Sequence, residues 1–202
     1  MPTIFDNIDK KLLPELIQTT KESYKADFCV GYFNLRGWKD LGQCIESWPG
    51  GEDRCVRLLI GMQRVPVELI QEIYKAGDPE IEPDNPTKIR IKHKLAQEFR
   101  DQLMIGIPSN TDEEALRKLL YQMKAKQVIV KLFVNYPLHA KLYLLYRNDR
   151  ITPSIGYLGS SNLTLAGLQW QVELNINVVE QDAAIKLSKW FEDRWTECSI
   201  QI

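Results

Sequence analysis

A chain of 202 residues, 44% hydrophobic and 26% charged, is long enough to bury a core without disulfide or metal staples. Its net charge of −1 excludes a globally basic surface, so a polyanion would have to be met by a local patch. The four cysteines, Cys29, Cys44, Cys55 and Cys198, form no C-x-x-C pair, which argues against a zinc or redox centre and for reduced thiols in a cytoplasmic protein.

The N-terminal stretch has no apolar run of the length that a signal peptide or a membrane span requires. Leu12, Leu13, Leu16 and Ile17 predict a short amphipathic helix within Ile8–Tyr24. Ala26–Phe33 reads as a buried strand and Gly37–Trp48 as a helix closed by the turn Pro49-Gly50-Gly51. A second buried strand follows at Val56–Ile60, then a helix at Pro66–Lys75 and a proline-rich acidic loop at Gly77–Pro86. In Thr87–Arg100, K-I-R-I-K-H-K alternates like a strand, whereas A-Q-E-F-R-D-Q-L is helical in character. Ser109–Lys126 reads as a helix, with Thr111 as its cap and acidic residues in its first turn. Strands are expected at Gln127–Asn135, Ala140–Tyr146, Ile155–Leu158 and Gln171–Val179, and a closing helix at Asp182–Glu197. This alternation predicts an α/β sandwich around a central sheet, within a single domain spanning residues 1–202.

The chemistry concentrates in the second half. His139 and Lys141 are two residues apart at the mouth of a strand, so both side chains leave the same face. An imidazole able to attack or to move a proton, beside an ammonium with three donors, suits an anionic substrate. Further on, Gly159, Ser160 and Asn162 stand where a strand runs into a turn. Free backbone N–H groups there would cradle an oxyanion, with the Asn162 amide as a further donor. In Q-V-E-L-N-I-N-V-V, Gln171, Glu173, Asn175 and Asn177 share one face, and Glu173 is placed to accept a hydrogen bond from a histidine ring. Lys88, Arg90, Lys92 and Lys94 form a basic run suited to a nucleic-acid backbone, or simply to solvent.

H139-A-K141 followed by G159-S-S-N162 resembles the phospholipase D superfamily, whose signature is H-x-K-x4-D-x6-G-S-x-N. The signature's aspartate would fall at Tyr146, and the spacer here is longer. A nuclease branch, resembling metal-independent restriction endonucleases and phospholipase D-like domains attached to helicases, replaces that aspartate with a glutamate about eleven residues after the asparagine, the place of Glu173. The segments F-C-V-G-Y-F-N-L-R-G-W and R-C-V-R-L-L-I-G-M also look like the helicase-linked type.

The resemblance implies a phospholipase D-like α/β/α sandwich with a mixed central sheet and two-step hydrolysis through a phosphohistidine. No metal or cofactor is implied. His139, Lys141, Asn162 and Glu173 would be catalytic; Lys141, Gly159, Ser160 and Asn162 would hold phosphate. The mechanism requires two H-x-K sets and this chain has one, since His93 stands directly beside Lys94. A homodimer is therefore expected, with two copies of His139 facing each other. The expected substrate is DNA, and the chain is expected to work alone or as an N-terminal module of a larger helicase-type protein. The alternatives are a non-catalytic nucleic-acid-binding or dimerisation module and a lipid phosphodiesterase; no membrane association is expected.

Overall fold

The most apolar runs lie at the centre of the sheet. In the computed structural model, which describes residues 2–61, 85–103, 110–133, 136–197 and 199–201, all of β3 (Val56–Ile60) is buried. It pairs in parallel with β2 (Ser23–Val30), Ala26 opposite Val56 through Val30 opposite Ile60. Strands covered on both faces are expected to be nearly continuous in apolar residues, and from Ala26 on these are, apart from Asp27 and Arg57. β4 (Val128–Phe133) extends the parallel set on the far side of β3. On the other side of β2, β5 (Lys141–Arg147), β6 (Ser154–Gly159) and β7 (Asn175–Val178) follow in antiparallel order. β1 (Ile4–Phe5) and β8 (Ser199–Gln201) close the edges, giving one mixed sheet of order β1-β7-β6-β5-β2-β3-β4-β8 among the described residues.

Alternate side chains of these strands feed two cores. One holds Phe28, Val30, Leu58, Ile60, Tyr143 and Tyr157, and is covered by five helices. These are α1 (Leu12–Lys21), α2 (Leu35–Cys44), α3 (Asn85–Leu103), α4 (Asn110–Lys124) and α5 (Leu165–Gln169). The opposite core, with Cys29, Leu59, Leu142 and Leu144, is covered by α6 (Gln181–Thr196) through Phe191 and Trp195. The sandwich and its mixed sheet are therefore as expected.

The segment K-I-R-I-K-H-K corrects one expectation, because it lies inside α3 and is not a strand. Leu95, Phe99 and Leu103 recur every fourth residue and are all buried, so the helical stripe that they anchor overrides the alternation before it. Ile89 stays 58% exposed. The first helix begins later than Ile8, because Asp6 Oδ1 accepts from the backbone N–H groups of Ile8, Asp9 and Lys10 and holds a turn there. The Pro66–Lys75 helix, the Thr111 side chain, Cys198 and the Gly77–Pro86 loop up to residue 84 lie outside the described residues.

Under α6 the sheet also carries buried charge. The Arg57 guanidinium grips Asp27 through two bonds of 2.6 and 2.8 Å and reaches Glu192 at 2.8 Å. It lies 5.1 Å from the Phe191 ring and 5.3 Å from that of Trp195. The Tyr146 hydroxyl donates to Asp27 at 2.7 Å.

Candidate active site

Strands β2, β3, β4 and β6 end, and β5 and β7 begin, at the same end of the sheet. Clefts beyond the carboxyl ends of parallel strands are where α/β sheets receive ligands. Two glycines make room there. A Cβ on Gly31 would stand 3.0 Å from the Leu138 carbonyl oxygen, and one on Gly61 only 2.6 Å from it. The backbone ahead of His139 therefore settles directly over the ends of β2 and β3. That lays His139, exposed, beside Lys141, the first residue of β5.

Lys141 is 3% exposed, and burial is the main force holding its ammonium below the ordinary lysine value; the nearby charges of Glu173 and Cys29 push the other way. Its Nζ donates to His139 Nδ1 at 2.9 Å and to the His139 carbonyl at 2.8 Å. An ammonium has only protons to offer, so Nδ1 is the acceptor, and the neutral ring carries its proton on Nε2, away from the lysine.

The turn after β6 is locked from beneath. Asn175, 2% exposed, accepts from the Ser161 N–H at 3.2 Å and donates to the Ser161 hydroxyl at 2.8 Å. The buried Tyr143 hydroxyl donates to the Ser161 carbonyl at 2.8 Å, and burial drives its pKa far up. Asn162 is oriented from the side, because its Oδ1 accepts from the Tyr32 N–H at 2.9 Å. With the oxygen engaged, the amide NH2 is the end left to meet a substrate.

This turn corrects the expectation of an oxyanion cradle built from free amides. The N–H of Ser160 donates to Leu174 O, that of Ser161 to Asn175, that of Leu163 to Tyr32 O and that of Thr164 to Asn162 O. The turn consumes these four donors because it is stitched to β7 and to the segment after β2, so what it offers a phosphate is chiefly side chains. Gly159 has a packing role: a Cβ there would lie 2.2 Å from Leu174 O, so only glycine lets β6 run this close to the start of β7. Ser160 gives its hydroxyl proton to Glu173 Oε2 and accepts from the Leu174 N–H at 2.9 Å. Glu173 thus sits against Ser160; among the described residues no hydrogen bond joins it to His139.

The six residues of the H-x-K, G-S-x-N and glutamate motifs are gathered at one end of the sheet. Arg90 and Lys94 are exposed on α3, and the side chains of Lys88 and Lys92 lie outside the described residues. Sequence reasoning placed Tyr32 at the border of the site or in the core, and missed Tyr143, Ser161 and the anchoring role of Asn175, none of which carries a motif of its own. It also missed Asp27. The carboxylate absent at Tyr146 is present beside that residue's hydroxyl, supplied by the neighbouring strand. The available signal was an aspartate inside an apolar run, with an arginine at the matching place in the next buried run; Asp27 and Arg57 are register partners.

The family model described as cardiolipin synthase, PLD-like domain, matches residues 56–195. No curated protein sequence matches the chain. Among solved structures, the chain is similar to Nuc, a phospholipase D family member from Salmonella typhimurium, at TM-score 0.56 and 11% identity, over 100% of this chain and 97% of that one. NucT from Helicobacter pylori gives 0.55 and 12%, over 98% and 97%. Phosphatidylserine synthase from Haemophilus influenzae Rd KW20 gives 0.55 and 13%, over 100% of this chain and 39% of that one. Identities this low speak to the fold alone, and the fold agrees with the family model, which spans well over half of the sequence. The chain belongs to the PLD-like domain family of the phospholipase D superfamily.

Proposed function

We propose that the chain is a metal-independent phosphodiesterase that cleaves DNA, with His139 as nucleophile and two copies sharing one reaction centre. The observation that carries this is a buried cation whose partners are neutral. Lys141 is 3% exposed and its Nζ hydrogen-bonds to the ring and carbonyl of His139, with the Glu173 charge nearby but no carboxylate bonded to it among the described residues. Such an ammonium is poorly compensated until an anion arrives. A phosphodiester supplies that anion.

When a phosphoryl oxygen takes the Lys141 ammonium, Nδ1 is released, the ring can carry its proton there, and Nε2 becomes a nucleophile. Glu173 is the nearby carboxylate suited to accept the Nδ1 proton. Nε2 then bonds to phosphorus as the phosphorus–oxygen bond to the leaving group breaks, and the partner's His139 gives its Nε2 proton to the departing oxygen. Water attacks the phosphohistidine and returns a proton to that second ring. Asn162 and Lys141 hold the phosphoryl oxygens throughout. The exposed Arg90 and Lys94 on α3 favour a nucleic-acid backbone, with a helicase as the attached or associated partner. No helix among the described residues is long and apolar enough to cross a membrane.

The competing reading is transfer or hydrolysis at a lipid phosphodiester, favoured by the phosphatidylserine synthase that shares this fold. Plasmid DNA and phosphatidylglycerol vesicles, each incubated in EDTA with the wild-type protein and with His139→Ala, separate the two. The expected result is EDTA-resistant plasmid cleavage that falls by roughly 10⁴-fold in the variant, with the vesicles untouched. A phosphoenzyme trapped with bis-p-nitrophenyl phosphate should carry its label on His139. Vesicle turnover without DNA cleavage would replace DNA by lipid, and no turnover of either would sink the enzymatic reading.

A further inference from the structure

Ser161 is the middle residue of the turn that carries Ser160 and Asn162, and it is wholly buried. All three of its polar atoms are tied to side chains from other strands. Its N–H donates to Asn175 Oδ1 at 3.2 Å, its hydroxyl accepts from Asn175 Nδ2 at 2.8 Å, and its carbonyl accepts from the Tyr143 hydroxyl at 2.8 Å. The turn thus hangs from a pivot held by β7 on one side and β5 on the other. On β5, Tyr143 is the second residue after Lys141, so both side chains leave the same face of the strand. One strand therefore carries the buried ammonium and the hydroxyl that holds the turn. The Tyr143 ring is fixed in its own right, edge-on to Phe28 of β2 with 5.2 Å between centroids. Burial, with the Glu173 charge adding to it, keeps the hydroxyl protonated and so a constant donor.

We propose that Tyr143 is a positioning residue, a strut that sets the gap between Lys141 and Asn162 to the width of one phosphoryl group. The inference rests on the phosphodiesterase reading above and adds what holds the two halves of that centre in register. Lys141 opens β5 and Asn162 lies beyond the end of β6, and the pairing of these strands stops short of both, at Leu142 with Leu158. Beyond that pair, among the described residues, the hydrogen bond that joins β5 to the turn is the one from Tyr143. Without it the turn keeps its ties to β7 and to the Tyr32 N–H but loses its fixed distance from the ammonium. Every side chain that would touch a phosphate is then still present, and only their spacing is loosened. Misplacement by an ångström is enough to cost a large share of a rate when two groups must hold one phosphoryl group.

Tyr143→Phe removes the hydroxyl and keeps the ring. Tyr157→Phe is its matched control: the same change in the cross-strand partner of Tyr143, equally buried, at a hydroxyl that meets Thr19 of α1 at 2.7 Å and not the turn. Wild type and both variants are compared by turnover of bis-p-nitrophenyl phosphate, by vanadium NMR titration with vanadate as a mimic of the transferring phosphoryl group, and by thermal melting. Turnover is read well below the lowest melting temperature. In Tyr143→Phe, kcat should fall about tenfold to a hundredfold with KM nearly unchanged, and vanadate should bind at least tenfold more weakly. In Tyr157→Phe the melting temperature should fall comparably, with kcat and vanadate affinity as in wild type. Asn175→Ala, which unties the same pivot from β7, should give the Tyr143→Phe pattern and serves if that variant melts early. Wild-type turnover and vanadate affinity in Tyr143→Phe would overturn the proposal, and so would equal losses in the two tyrosine variants. A wild type that turns nothing over, yet binds vanadate with this contrast between the variants, would sink the phosphodiesterase reading and leave the strut standing.

Discussion

Lys141 holds its place at the expense of stability. Its ammonium is removed from water and meets two neutral acceptors, so burial lowers its pKa from the ordinary 10.5. The unfolded chain then keeps that proton to higher pH than the folded one. The burial penalty is therefore present in full below the folded pKa and fades as pH climbs from there toward the ordinary lysine value. Lys141→Met is expected to abolish turnover yet to stabilise the fold by about 1–2 kcal/mol at neutral pH, as replacing poorly compensated buried charge often does. Urea unfolding at neutral and alkaline pH checks this: the advantage of the methionine variant should shrink in alkali. A variant less stable than wild type at neutral pH would mean that the His139 bonds already compensate the charge.

Among the elements, β7 shows what a pattern conveys and what it leaves open. Alternation predicts a strand from Gln171 to Val179, but only Asn175–Val178 forms one, and the pattern does not say which face is inward. The polar face turns in because the Asn175 amide ties down the Ser161 turn, a partnership between distant segments that no local pattern carries. α3 is only half legible for a related reason: seven alternating residues look like a strand until the stripe of Leu95, Phe99 and Leu103 finds a core to bury in. The buried strands β2 and β3 were legible because their apolar runs need no partner to be recognised, whereas the Asp27–Arg57 pair emerges only from their mutual register. Asp27→Ala leaves the Arg57 guanidinium with Glu192 alone and should cost about 3–5 kcal/mol. The Asp27→Ala/Arg57→Met double variant should recover part of that, and a chemical denaturation series reads both. With Arg57→Met added to the series, a double-variant loss equal to the sum of the two single losses would show that the pair is not coupled.

For the whole molecule, the arrangement is lopsided: five helices over one face and one over the other among the described residues. Helical periodicity announced most of these helices in advance. Their distribution between the faces was not legible, since it depends on crossover paths that pass through three-dimensional packing. The gathering of His139, Lys141, Ser160, Asn162 and Glu173 was legible from motif spacing, because β5 and β6 are antiparallel neighbours whose facing ends bring the start of one to the end of the other. The half-exposed row of Leu158, Ile176 and Ile4 on β6, β7 and β1 was not, since exposure belongs to the folded surface. The single H-x-K set makes dosage a consequence of the proposed shared centre. Were the proposed centre completed only by a second copy, it would be silent when copies are scarce, and below the dissociation constant the rate would grow as the square of protein concentration. Specific activity per chain should fall on serial dilution, recover when wild type is added back, and fall further when His139→Ala protein is added to the diluted sample. A cell holding few copies would thus carry a cleaving activity that stays off until expression brings the chains together.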